Sequence, residues 1–477
     1  MNVSAPDLTR AKGCVVSVQT ADGAKFSAGL SSLTRFGAAF EFFDPIPVFQ
    51  LSQVLSRIEI LAGNQRLFSG RAVISGLAHT GLSLVCEVKL DFNEVEAGFA
   101  TTPLKDMVAT QKAYDNFYNA WRKGYQISPE LKTLVVDVED FLDSVRQWLE
   151  QVEFGLRKET NGHWAGQEAA ILEAVSQKVI SSFNARHEQF EEIIYALPAA
   201  ARDAHQDFVR RHWSKHFLCS PFGQRTFYKP NGYAGDYEMM NMIHRNQPEG
   251  SSLYAKLIHK LLVSQWPARS VRNRIAHLGS NITNESVRLA GAGRRIRILN
   301  VGCGPAREIQ TFIQENPLSD RVDFTLIDFD TETLQHAFHK LHEAKRNFGR
   351  NTGVQTKKVS VYELIRESQQ NRLPMKRRYD LIYCAGLFDY LAPATGRALI
   401  ELWHGWLSPG GLLLVANMND TKPFRNFIEF VLDWRLIYRD TEALLSLVPE
   451  PLLPCTRVVA ECTTVNMFLH IRKARAD

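Results

Sequence analysis

Ile298-Leu-Asn-Val-Gly-Cys-Gly-Pro-Ala306 is an apolar strand that runs into Gly302-x-Gly304 and then into a helix. Glycine lets the backbone turn sharply and lets a ligand approach with no Cβ in the way, and the amides at the helix start favour polar or anionic groups. A G-x-G pair alone says little. Here the next strand ends in Leu326-Ile-Asp-Phe-Asp330, which puts Asp328 about twenty residues beyond the loop, where an acid accepts ribose hydroxyls. Arg307 stands where a dinucleotide fingerprint wants a small residue, and no G-x-x-x-x-G-K-[ST] occurs, so neither a dinucleotide site nor a phosphate-loop NTPase is expected.

Outward from this loop the pattern is alternating α/β. Candidate strands are Arg297–Val301, Asp323–Asp328, Gln355–Val361, Asp380–Cys384 and Gly411–Met418, with helical periodicity between them, and this predicts a mostly parallel doubly wound sheet. Thr456–Cys462 and Asn466–Arg472 are too close for a crossover, so the last strand should be antiparallel. Before the loop, residues 101–290 read as helical: Asp106–Lys123, Pro129–Trp148, Gln167–Ala196, Ala200–His216, and a further region from Glu238 to Ala290. A turn-rich aromatic segment at 219–238 interrupts them. Residues 1–100 carry short strands at Cys14–Gln19, Lys25–Leu30, Ala38–Phe43, Arg57–Leu61, Gly70–Ser75 and Leu82–Leu90, which suggests a small β-barrel. The expected division is therefore 1–100, 101–290 and 291–477.

Composition narrows the class. The 477 residues are 45% hydrophobic and 22% charged, which excludes a disordered, collagen-like or coiled-coil chain. A net charge of +5 over this length does not imply nucleic-acid binding. Seven scattered cysteines without a C-x-x-C pair read as reduced thiols of a cytoplasmic chain, with no zinc ribbon. No apolar run is long enough for a transmembrane segment, and the N-terminus does not read as a signal peptide.

Four motifs stand in order: Asn300-Val-Gly-Cys-Gly-Pro-Ala306, Ile327-Asp-Phe-Asp330, Tyr379-Asp-Leu-Ile-Tyr-Cys-Ala-Gly-Leu-Phe-Asp-Tyr-Leu391, and Trp406-Leu-Ser-Pro-Gly-Gly-Leu-Leu-Leu-Val-Ala-Asn417. Residues 290–475 thereby resemble the class I S-adenosylmethionine-dependent methyltransferases, with a Rossmann-like domain. The resemblance implies S-adenosyl-L-methionine as cofactor. Gly302 and Gly304 would pass its methionine moiety, Asp328 would hold the ribose, and Phe329 would stack near adenine. Asn300, Asp236, Ala385 and Phe388 complete the implied cofactor set. Two departures stand out. The first motif usually begins with an acid where this chain has Asn300, and Ser360-Val361-Tyr362 replaces the usual adenine-contacting acid.

Tyr228-Lys-Pro-Asn-Gly-Tyr-Ala-Gly-Asp-Tyr-Glu-Met-Met240, together with Cys384–Leu391, looks like the bacterial methyltransferases that make 3-hydroxy fatty acid methyl esters, the 3-hydroxypalmitic acid methyl ester quorum signal among them. The implied reaction is O-methylation of a fatty carboxylate. Such a carboxylate is already ionised at neutral pH and needs alignment and dehydration rather than a strong base. The candidate catalytic donors are Tyr228, Tyr233, Tyr237, Tyr390 and Asn417. Lys229 and Arg274 are candidate substrate-binding cations, with Asn231 and Arg272 beside them, and Asp236 could instead hold an arginine.

Other signals are weaker. His205, His212 and His216 share a helix face, but no acid is near in sequence and no metal site is expected. They would matter for an alternative acceptor, a small-molecule hydroxyl or amine, which needs a general base. The basic run from Lys340 to Lys358 reads as a solvated face, and Asp433-Trp-Arg-Leu-Ile-Tyr-Arg439 as an internal ion pair. The N-terminal barrel resembles a PilZ domain, the receptor module for cyclic di-GMP. Its turn would be Ser32-Leu-Thr-Arg-Phe-Gly37, but its arm keeps Arg10 without a second arginine. Losing the paired guanidiniums disfavours cyclic di-GMP binding and favours a structural or homodimerising role. The alternative reading of the whole chain is a cyclic di-GMP-responsive regulator with a non-catalytic methyltransferase fold.

Overall fold

The computed structural model describes residues 14–91 with short gaps, 115, 127–159, 165–291, 293–370 and 378–475. Arg10, Arg35, and the helix expected over Asp106–Lys123 (apart from Asp115) lie outside the described residues. The chain divides into two compact units. One comprises the chain up to Ala234 together with Pro248–Leu261 and Phe424–Arg435. The other comprises Gly235–Gln247, Leu262–Pro423 and Leu436 onward.

The first unit opens with six strands: β1 Cys14–Thr20, β2 Lys25–Leu33, β3 Gly37–Phe42, β4 Val54–Ala62, β5 Gln65–His79 and β6 Leu84–Leu90. They close into an antiparallel barrel in the order β1-β2-β3-β6-β5-β4. Alternation dictates its core. Val16, Val18, Phe40, Phe42, Ile58 and Ile60 point inward and are buried. Helices Pro129–Glu159, Ala165–Tyr195 and Arg202–Phe217 follow. The 219–238 segment, expected as turns, contains a helix at Pro221–Tyr228. Ser220 caps it by accepting from the Gly223 amide at 3.1 Å, and Pro221 occupies the first turn, where no amide is needed. The Arg425–Phe430 helix packs in this unit. The buried Glu191 carboxylate accepts from the amides of Asn426 (3.0 Å) and Phe427 (2.8 Å) and from the Asn426 side chain (2.9 Å).

The second unit is built on seven strands, β7 Ile296–Val301, β8 Val322–Asp328, β9 Gly353–Lys358, β10 Tyr379–Ala385, β11 Leu407–Met418, β12 Thr456–Ala460 and β13 Asn466–Arg472. Their order is β12-β13-β11-β10-β7-β8-β9. Pairing is parallel from β9 to β11, β13 lies antiparallel to β11, and β12 pairs antiparallel with β13, as the short final connection requires. This is the Rossmann-like arrangement expected from the α/β alternation. β9 stops at Lys358 rather than reaching Val361, because Ser360 and Glu363 form a capping box that starts the Val361–Gln369 helix. All seven cysteines are free thiols. Among the described residues no helix is long and apolar enough to cross a membrane.

Candidate active site

The glycine loop sits at the C-terminal end of β7, where open α/β sheets bind ligands. The Gly302 and Cys303 amides donate to the Ile327 carbonyl at 2.8 and 3.2 Å, which ties the loop to the end of β8. Gly302 and Gly304 adopt φ of +66° and +51°, a region that disfavours side chains. A Cβ at Gly304 would meet nothing within 4 Å, so the space above it is open. Asp328 closes the cradle. One carboxylate oxygen accepts from the Gly304 amide (3.3 Å) and the other from the Asp330 amide (3.1 Å). Burial pushes its pKa up to about 6, against the pull of those backbone donors. Phe329 follows with 37% of its surface exposed.

Beneath the loop lies a buried polar group that the sequence reading missed. Glu308, in the first turn of the Arg307–Glu315 helix, accepts at the same oxygen from the Asn300 amide (3.1 Å) and the Tyr383 hydroxyl (2.7 Å). Burial raises its pKa as well. An acid in a first turn normally reads as a partner of the helix dipole, which hid it.

On the other side of the loop, Gly386 (φ +94°) follows β10, and the Arg274 guanidinium packs where its Cβ would be, at 3.0 Å. Arg274 comes from the Trp266–Leu289 helix and is 8% exposed. It reaches the Met240 sulfur at 3.9 Å, and its Nε has no partner among the described residues. Asp389, Glu308 and Tyr390 act on it electrostatically. Asp389 accepts from the Met418 amide at 2.6 Å, and burial pushes its carboxyl up to about 6. His244 is driven down to about 3, first by burial and then by the charges of Arg274, Arg307 and Arg272.

The remaining expected residues fall as follows. Asn417 is fully buried, donates to the Met418 and Ile437 carbonyls, and accepts from Arg439 at 2.5 Å. Arg439 also holds the carbonyls of Phe388 and Leu391, so Asn417 belongs to a network that braces the Phe388–Tyr390 turn. The Phe388 ring is buried against Trp403, and Ala385 is half-buried. Asp236 caps the Tyr237–Arg245 helix by accepting from the Met239 amide at 2.9 Å. The Tyr237 hydroxyl donates to Glu332 at 2.6 Å. Arg272 donates to the Ile243 and Val263 carbonyls.

Tyr228, Lys229, Asn231 and Tyr233 belong to the barrel–helix unit. There the Tyr228 carbonyl accepts from Arg71, and the Asn231 side chain accepts from Arg225 at 3.2 Å. Lys229 is buried beside Asp433. Asp433 also pairs with Arg210 at 2.7 Å, so the acid of the 433–439 segment is held by cations from outside that segment.

The histidine face gains acids that sequence proximity did not reveal. Glu139 pairs with His212, and Asp143 lies 3.8 Å from His216, both acids coming from the Pro129–Glu159 helix. Lys215 already bridges both carboxylates, at 2.7 and 2.9 Å. His205 is engaged at both ring nitrogens, by the Ser128 amide and the Ala201 carbonyl.

Comparison with known proteins gives the class. Residues 299–413 match the family model described as "Methyltransferase domain", and residues 229–350 match one described as "Putative methyltransferase". The sheet unit thus carries a methyltransferase domain. No match among curated proteins was found. Similar solved structures include a possible exported protein from Bordetella parapertussis (14% identity, 64% of this chain and 97% of that one, TM-score 0.40). The N-methyltransferase NodS from Bradyrhizobium japonicum WM9 shares 13% identity over 42% of this chain and 96% of its own, with a TM-score of 0.29. Magnesium protoporphyrin IX methyltransferase from Synechocystis PCC 6803, solved with bound SAH, shares 9% identity over 56% and 99%, with a TM-score of 0.32.

Proposed function

We propose that this chain is an S-adenosylmethionine-dependent methyltransferase that esterifies the carboxylate of a 3-hydroxy fatty acid. The cofactor reading is supported by a cradle that suits it: open space over Gly304, and a strand-end carboxylate at Asp328 with lone pairs left for ribose hydroxyls. When bound, the cofactor supplies an electrophilic methyl group. The chain's own task is then to hold an anionic acceptor in line and to exclude water.

Arg274 is the observation that carries the carboxylate reading. It is a buried guanidinium with an unmatched Nε, set against Gly386 at the edge of the site. A guanidinium there can receive a carboxylate and neutralise it at low dielectric. Tyr390, on the turn after Gly386, would orient the second oxygen. A carboxylate acceptor carries no proton to remove, which accords with a site whose polar groups hold rather than exchange protons. The hydroxyl or amine alternative would draw its base from His205, His212 or His216, all in the barrel–helix unit and all engaged as described. The barrel is assigned a structural role.

The test is methyl transfer followed by mass spectrometry, with purified full-length protein, S-adenosylmethionine, and a panel of 3-hydroxy and unsubstituted fatty acids. A methyl ester should form with the wild type and not with Asp328→Ala. Ester formation should fall sharply, with a raised KM for the acid, in Arg274→Met. Cofactor binding without ester formation on any acid would overturn the carboxylate reading and leave the cofactor reading standing.

A further inference from the structure

We propose that Glu308 is the counter-charge for the cationic methionine end of the cofactor, an inference that rests on the S-adenosylmethionine reading above. Two other buried acids of this unit are each paired with arginine. Asp380 holds Arg294 through two contacts at 2.6 and 2.7 Å. Glu285 holds Arg472 at 2.6 Å and Arg288 at 2.5 Å. Glu308 is as deeply buried, at 4% exposure, yet its hydrogen-bond partners are neutral: the Asn300 side-chain amide, the Tyr383 hydroxyl and its own backbone amide. No lysine, arginine or histidine among the described residues forms an ion pair with it within 4.0 Å, and Arg274 acts on it only from farther away.

A buried carboxylate without a cation is costly, and neutral hydrogen bonds offset only part of that cost. The position of this one suggests why it is kept. Asn300 lies two residues before Gly302, Cys303 in the loop feels the carboxylate's charge, and Asp328 at the loop's far side is likewise buried without an arginine. Asp389 and Glu461 are also buried without an ion pair, but Asp328 touches the glycine loop directly and Glu308 reaches its root through Asn300. S-adenosylmethionine brings a sulfonium and an ammonium, the charge that Glu308 lacks. Asn300 and Tyr383 then act as positioning residues, fixing the carboxylate from a strand end on either side.

The experiment is calorimetric binding of S-adenosylmethionine and S-adenosylhomocysteine to the full chain, with melting of the ligand-free protein measured in parallel. Glu308→Gln keeps the acceptor oxygen and removes only the charge. It should weaken S-adenosylmethionine on the order of ten-fold or more, with ligand-free melting unchanged or higher. A loss shared by S-adenosylhomocysteine assigns the charge to the amino group, and a loss confined to S-adenosylmethionine assigns it to the sulfonium; either supports the proposal. Asn300→Asp combined with Glu308→Gln returns the carboxylate across the same contact and should recover most of the affinity. Unchanged affinity in Glu308→Gln overturns the proposal. So does a loss that tracks a lowered melting temperature and is not recovered by the exchange. Absence of binding by the wild type would instead fail the cofactor reading itself, and the proposal with it.

Discussion

The Lys229 ammonium lies 3.7 Å from the Asp433 carboxylate, with the lysine side chain fully buried and the aspartate 6% exposed. Burial is the largest influence on Lys229 and holds its pKa down to about 8, while Asp433 opposes it. The unfolded chain thus binds more protons than the folded one between about pH 8 and 10.5, and stability should rise with pH across that window. Urea denaturation at pH 7.5, 9 and 10 should show this rise in the wild type and a flatter profile in Lys229→Met.

Asp433 is held well below the ordinary carboxylate range, with Arg210 as its strongest attraction, then Lys229 and Arg435. Its contribution is present above the unfolded value and is lost as pH falls through the folded one. Asp433→Asn leaves those cations uncompensated. Breaking a buried pair in this way costs about 3–5 kcal/mol, so the urea midpoint at pH 7.5 should fall with little change in slope.

Asp328 titrates in the opposite sense. Its folded pKa of about 6 lies above the ordinary 3.8, so ionising it costs stability as pH rises between those values, while its carboxylate form is the one that accepts ribose hydroxyls. S-adenosylmethionine should bind about ten-fold more weakly at pH 5 than well above pH 6, and more weakly still where Asp389, also near 6, contributes. Calorimetry on Asp328→Asn should show a low affinity with most of this pH dependence gone.

Gly386 fixes where the Arg274 guanidinium can lie. A methyl group there would approach its Nη1 at 3.0 Å, on a backbone at φ +94° that side chains avoid. Gly386→Ala should therefore raise KM for the acid substrate several-fold while cofactor affinity changes little. Equal loss of both would show that the substitution disturbs the glycine loop rather than the arginine.

Glu191 anchors the start of the Arg425–Phe430 helix through the amides of Asn426 and Phe427. Removing the carboxylate strands buried donors, at roughly 1–3 kcal/mol each. Glu191→Ala should lower the urea midpoint more than Glu191→Gln, which can still accept one of these bonds.

Much of the fold was legible because it rests on local period. Residues 297–301, 323–328 and 380–384 alternate with helical stretches, and the gap before Asn466 is too short for a crossover. The strand-forming pattern of residues 14–90 likewise marked the barrel. At the site, Gly302, Gly304 and Asp328 could be named because a turn, a helix start and a strand end follow one another in sequence. Glu308 could not, since its meaning comes from Asn300 and Tyr383, which reach it from two different strands. Nor could the change of unit between Ala234 and Gly235, within a segment that reads as one motif. That division is set by long-range packing, which short-range periodicity does not encode.

The chain's path between its units bears on how it is made. The barrel–helix unit is interrupted after Leu261 and regains its last piece only at Phe424. Phe427 then packs on Phe183 and Phe217, with ring centroids 5.7 and 5.0 Å apart. At cellular rates of about 5–20 residues per second, a ribosome spends roughly ten to thirty seconds on the intervening stretch. During that time the aromatic seat for Phe427 is already synthesised and Phe427 is not. Phe183 and Phe217 are thus made well before the residue that packs on them, so this part of the aromatic core can close only after most of the sheet unit has been synthesised.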